Sequence, residues 1–193
     1  MRLYGVVKDK NGKGLGGAVV EVKDADFSTL YSAVSDPDGG YSMVLPENSY
    51  PFVTAVKEYG EKYLEYWCQN IDLGADRELN ITIDALEIYG LHVFSVKGGH
   101  NSLMVYFRPM SLKKFQSGEE DICPDIQSIE IYVDGQKSKI LSQNEVWEYA
   151  ADRNMRAFLL QVENPNADRS FAKLEVKVCD EQGDLGCAAI YHG

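Results

Sequence analysis

The sequence predicts an all-β protein built as two consecutive antiparallel β-sandwiches, and three observations predict it. Apolar and polar residues alternate in short runs along the whole chain, which is the period of a half-buried strand. Between these runs stand Gly, Asn, Asp and Pro, the residues that let a chain reverse; 17 glycines and 6 prolines are spread through it. The length of 193 residues exceeds one average domain and suffices for two, each with its own core. A composition of 45% hydrophobic and 25% charged residues is that of a folded globular protein.

Taken in order, Leu3 to Val7 and Ala18 to Val22 are strands around NGKGLGG, whose glycines and asparagine accept left-handed backbone angles. Leu30 to Val34 and Tyr41 to Leu45 form a hairpin across SDPDGG, where Pro37 presets φ and Gly39 or Gly40 takes the positive-φ position. Tyr50 to Lys57, Tyr63 to Ile71 and Leu79 to Leu86 complete the first half. The grammar restarts with Gly90 to Val96, Leu103 to Phe107, Ser128 to Val133, Glu145 to Ala150, Arg156 to Val162, Leu174 to Cys179 and Gly186 to Tyr191. The joint falls near Ala85 to Gly90 without a Pro/Ser-rich spacer, so residues 1–87 and 88–193 are expected as two domains in contact. Ser111 to Asp125 is too polar and irregular for a strand and is expected as the longest loop. Helix is expected to be nearly absent, the one short candidate lying around Asn144 to Asp152.

With 30 acidic against 19 basic residues the net charge is −11, a field that repels phosphate backbones and anionic lipids. Nucleic acid is therefore not an expected partner. Membrane insertion is not expected either, because no apolar run approaches the length of a span and Met1-Arg2-Leu3-Tyr4 enters the first strand without an apolar leader. If Met1 is the native start this implies the cytoplasm; a chain trimmed of its export signal would look the same. The cysteines Cys68, Cys123, Cys179 and Cys187 have neither zinc spacing nor the density of a disulfide framework, so free thiols are expected. Cys179 and Cys187 bracket a hairpin turn and, in an exported protein, would be the pair to cross-link.

Gly5-Val6-Val7-Lys8-Asp9, Asn11-Gly12, Leu15, Gly17-Ala18-Val19-Val20, Asp36 through Gly39 and Tyr41 resemble the carboxypeptidase regulatory-like domain over roughly residues 2 to 86. Gly14, Ser35 and Glu58-Tyr59-Gly60 depart from its pattern. The resemblance implies a transthyretin-like sandwich. More loosely, Ile129 to Gly135 and Val176 to Asp184 resemble bacterial immunoglobulin-like domains. Both families imply non-catalytic modules such as spacers, surface-binding elements and accessory subunits, and the first implies an extracytoplasmic location.

No residue pattern supplies enzyme chemistry. His92, His100 and His192 are scattered, and nucleophile elbow, P-loop and dinucleotide glycine motifs are missing. No catalytic residue, metal ligand or cofactor is assigned. Asp36-Pro37-Asp38-Gly39-Gly40 opens like a calcium loop but lacks the closing bidentate Glu, so a β-turn is expected. Glu119-Glu120-Asp121 with Asp125 is expected as a solvated loop. The candidate binding residues are Tyr59, Tyr63 and Trp67, which alternation can set out as an aromatic strip, and Phe115 in the long loop. The function expected is a non-catalytic accessory or binding protein that contacts a protein or a polysaccharide. The alternatives are a small β-rich subunit beside a catalytic subunit in a cytoplasmic complex, or a pure spacer.

Overall fold

The structure, a computed structural model, describes residues 1–98, 101–150, 152–168 and 170–192. His100 lies outside the described residues. The first half contributes β1 (Arg2–Lys8), β2 (Val19–Lys23), β3 (Thr29–Val34), β4 (Gly40–Val44), β5 (Ser49–Val56), β6 (Tyr66–Asp72), β7 (Arg77–Glu78) and β8 (Ile81–Thr82). The second contributes β9 (Leu86–Phe94), β10 (Ser102–Ser111), α1 (Leu112–Ser117), β11 (Ile126–Val133), β12 (Gln136–Ser138), β13 (Ile140–Ala150), β14 (Arg153–Glu163), β15 (Lys173–Asp180) and β16 (Leu185–Tyr191). The protein is all-β, as alternation predicts.

Two sandwiches share one long sheet, of order β12-β11-β15-β16-β6-β5-β2-β3. Near the N-terminus β4, β1, β7 and β8 cover one face of it; farther along, β13-β14-β10-β9 cover the opposite face. Between these layers sit two cores. One gathers Leu3, Val20, Tyr41, Val53, Cys68 and Ile71; the other gathers Ile88, Phe107, Ile131, Phe158, Leu160 and Val176. Most pairings are antiparallel, but β1 pairs in parallel with β7 and β8, and β16 pairs in parallel with β6. The β16–β6 pairing joins the halves, and β16 serves both cores: Ala188 and Ile190 enter the second, Ala189 and Tyr191 the first. A strand buried on both faces needs a continuous apolar run, and LGCAAIY is one.

Side chains reinforce the joint. Asp84, 7% exposed, accepts a hydrogen bond from the Leu185 amide at 2.9 Å and faces Lys10 Nζ at 3.4 Å. Lys10 reaches Asp184 at 2.5 Å, so the β1–β2 loop, the connection before β9 and the last turn meet at one ion cluster. The segment Ala85 to Gly90, expected as the joint, is strand from Leu86 onward.

Several expectations are corrected. Ser111 to Asp125 is not a continuous loop: Ser111 ends β10 and caps α1, its hydroxyl accepting from the Lys114 amide, and Gly118 ends the helix at φ 76°. Glu145 to Ala150 is strand as expected, within β13, and the short helix candidate that overlapped it from Asn144 is not helical. Asp121 and Asp125 are not simply solvated, because they clamp Arg156 at 2.6 and 3.3 Å. Cys179 and Cys187 do not face each other: Cys179 stands opposite Leu185 and Cys187 opposite Lys177, and all four cysteines are free. No helix among the described residues is long and apolar enough to cross a membrane.

The DPDGG tip is a turn. Asp36 Oδ1 accepts from the Asp38 and Gly40 amides at 2.9 and 2.8 Å, and Gly39 takes φ 87° with Val7 O only 2.3 Å from where a Cβ would stand. Millimolar calcium is therefore expected to leave the melting temperature unchanged. Asp36→Ala, which strips the turn of its acceptor, should cost about 1–2 kcal/mol in a denaturant titration, the scale of a lost cap.

Candidate binding surface where the two sandwiches meet

The strand β6 places Tyr66 and Cys68 in the core and so turns Trp67 and Gln69 to the outer face. Phe52 on β5 stands opposite Gln69, and the β2–β3 hairpin folds Phe27 back over it, the rings stacked at 4.5 Å and 17°. Phe27 adopts φ 62°, an unusual conformation for a bulky residue, which is what brings its ring down. Trp67 meets the edges of Phe27, Phe52 and Tyr89 at 5.7, 6.2 and 5.9 Å. Together with Gln69 and Gly90 these rings line a shallow groove of about 110 Å³.

The second half supplies Tyr89 through a β-bulge. Pairing shifts between Tyr106 and Arg108, where β9 carries the extra residue, and Gly90 takes φ 64°. Glu87 and Tyr89 consequently project toward Trp67, and Gln69 Nε2 donates to Leu91 O at 2.8 Å. Trp67 Nε1 donates to Glu87 Oε1 at 2.8 Å, and the Glu65 amide lies 3.4 Å from Glu87 Oε2. Arg108, opposite Tyr89 on β10, lies over that ring at 4.8 Å and faces Glu148 at 2.8 Å. Neither its Nε nor its Nη1 makes a hydrogen bond of good geometry among the described residues, so the contact with Glu148 is one of charge.

On the other side of Glu87 lies a second recess of about 170 Å³, lined by Tyr59, Leu64, Glu87, Met110, Phe115 and Ile122. Gln116 Nε2 donates to Gly60 O at 3.0 Å, pinning α1 to the turn at Glu58 to Tyr63 and so bringing Phe115 to Tyr59. Both rings stand at the mouth, 57% and 56% exposed. Glu87 is 2% exposed. Burial pushes its carboxyl up to about 7, against the Trp67 hydrogen bond, with Glu65 adding repulsion and Arg108 opposing. Burial likewise raises Glu65 and Tyr59.

The structure thus brings Tyr59 and Phe115 together at one recess and sets Trp67 in the adjoining groove, its indole hydrogen-bonded to Glu87 of the recess. Tyr63 is half-buried against the first core. Alternation does not extend to it because β6 begins at Tyr66, and Tyr63 bridges Tyr59 instead. Phe27, Phe52, Tyr89 and Glu87 are contributors that the sequence did not single out. Elsewhere His92 lies against Phe94 at 5.6 Å and His192 against Phe171 at 5.0 Å. Among the described residues no group of three His, Cys, Asp or Glu side chains could hold a metal.

No family model matches the chain, and no curated protein matches it. Among solved structures it is similar to BcpA, the major pilin subunit of Bacillus cereus, at 11% identity and TM-score 0.34, over 98% of this chain and 67% of the pilin. It is also similar to a DUF3823 family protein from Bacteroides ovatus ATCC 8483, at 12% and 0.33 over 98% of this chain and 97% of that one. Another DUF3823 family protein, from Parabacteroides merdae ATCC 43184, gives 15% and 0.32 over 92% and 89%. At such scores the likenesses carry no functional argument.

Proposed function

We propose that this chain is a non-catalytic binding module that meets a protein or a polysaccharide across the joint of its two sandwiches. The observation that supports this reading is the exposed aromatic surface there, with Phe27, Tyr59, Tyr89 and Phe115 all at least 39% exposed. Rings that expose apolar area beside polar groups are what interfaces and sugar sites use. We further propose that residues 1–87 are a carboxypeptidase regulatory-like sandwich and 88–193 an immunoglobulin-like one. In support of the first, Gly5 lies where a Cβ would stand 2.1 Å from Leu79 O, and the turn ending at Gly39 touches β1. These are residues on which the resemblance rests.

The test is a pair of surface substitutions, Phe27→Ser with Phe115→Ser, which leave both cores intact. Binding is measured against an oligosaccharide panel and against the protein that co-purifies from the source. Loss of two exposed anchors should weaken a saturable interaction by about 30-fold, or about 2 kcal/mol. An unaltered affinity would refute this surface as the binding site, and a parent protein with no saturable ligand in either set would refute the module reading and leave the spacer alternative.

A further inference from the structure

We propose that the recess between Tyr59 and Phe115 receives the lysine side chain of a partner protein, its ammonium seated on the Glu87 carboxylate and its stem sheathed by Leu64, Met110 and Ile122. The inference rests on the binding-module reading above and selects protein over polysaccharide.

The floor sets the sign of the ligand. Glu87 is buried beneath a lining whose only other polar side chains are the hydroxyls of Tyr59 and Ser111, and a carboxylate that ionises in such a place calls for a cation. No ion pair to Glu87 forms among the described residues: Arg108, the adjacent cation, acts on it only at a distance and makes its close contacts with Glu148 at 2.8 Å and the Tyr89 ring. The α1 lysines are also engaged elsewhere, Lys114 with Glu119 at 3.3 Å and Lys113 with Gln182. A carboxylate offers about four acceptor positions; Trp67 fills one, and the Glu65 amide, at 3.4 Å, weakly fills another. Acceptor capacity remains for the three donors of an ammonium.

The walls set its shape. Apolar side chains line the shaft and two rings stand at the mouth, an arrangement that covers a straight alkyl stem and attracts a cation on entry. An ammonium is a compact point charge and suits a single carboxylate at the end of a shaft, whereas the planar guanidinium of arginine calls for a wider, two-pronged acceptor. A neutral sugar offers no charge to set against Glu87. The net charge of −11 favours a basic partner at longer range.

Nα-acetyl-lysine methylamide is the probe, titrated by calorimetry and by tryptophan fluorescence in a Trp147→Phe background that leaves Trp67 as the emitter, with Nα-acetyl-norleucine methylamide as its uncharged counterpart. The lysine derivative is expected to bind saturably and at least 10-fold more tightly than the norleucine derivative. Glu87→Gln should erase that preference, and Phe115→Ala should weaken both probes. Binding should tighten from pH 6 to pH 8 as Glu87 ionises; of the groups facing it, Glu65 opposes that ionisation, Arg108 assists it and Tyr59 remains neutral over the range. Equal affinity for the two probes, a preference that survives in Glu87→Gln, or no saturable binding of the lysine probe overturns the assignment. The Phe27 and Phe115 substitutions test the module reading separately, since they are scored on a macromolecular ligand.

Discussion

At pH 8 the Glu87→Gln variant is expected to melt about 4–8 °C above the parent protein, and near pH 4 the advantage should vanish. Glu87 holds its proton to about 7 when folded, against an ordinary value of 4.5. Between those values the folded state keeps a proton that the unfolded chain releases. The stability this group contributes is therefore fully present below pH 4.5 and is lost as pH rises through 7. At about 1.4 kcal/mol per pH unit, the ionised form costs the fold about 3 kcal/mol above neutrality. A glutamine removes that cost and can still accept from Trp67 Nε1. One amide donor left without an acceptor returns about 1 kcal/mol. The balance of about 2 kcal/mol, in a chain of this length, gives the stated shift at about 2–4 °C per kcal/mol. Thermal melts of both proteins from pH 4 to pH 8 check it, and a pH-independent difference would contradict the buried-acid account. A variant that gains stability while losing lysine selectivity would show why such an acid is retained: it serves a ligand at the expense of the fold.

The strands were legible because their signal is local. LYGVV, VVEVK and LEVKV alternate as half-buried strands must, and the structure finds them at β1, β2 and β15. The three-residue β12 carries no such signal, because Gln136-Lys137-Ser138 is too short to display a period. Helix α1 did carry signals, Ser111 as N-cap and Gly118 as the left-handed terminator, but SLKKFQS is too brief and polar to outweigh its loop-like composition. The binding surface was legible only in fragments. Trp67 and Phe115 could be chosen as aromatics, yet Phe27 reaches Trp67 through a hairpin fold and Tyr89 through a bulge, and neither contact has a period to reveal it. Glu87 looked like any other acid in a chain with 30 of them; only its burial and the Trp67 hydrogen bond distinguish it. Arg156, clamped by Asp121 and Asp125 from 35 and 31 residues away, was hidden for the same reason.

Ala189→Asp is expected to destabilise both halves together, by at least about 4 kcal/mol, and to lower the melting temperature by about 8–16 °C while a single calorimetric transition persists. Ala189 is 1% exposed and sits opposite Cys68 in the parallel β16–β6 pairing, within the first core. A carboxylate there gains no free countercharge: burial keeps neighbouring Cys68 and Tyr66 neutral, and Lys173, the cation that acts on Cys68, is paired with Glu175 at 2.9 Å. Burying such an isolated charge is among the costliest single changes available to a core. Its effect cannot stay in the first half. The alternate residues Ala188 and Ile190 of the same strand form part of the second core, and β15 depends on β16 for its own ladder from Lys173 to Cys179. A strand displaced to bring residue 189 to water withdraws both faces at once. Ala188→Asp, a change on the opposite face, should therefore produce a loss of similar size with the same single transition. Two separated transitions, with only the first half's shifted by Ala189→Asp, would instead mean that the halves fold independently and that β16 does not couple them. Differential scanning calorimetry of the parent and the two variants distinguishes these outcomes.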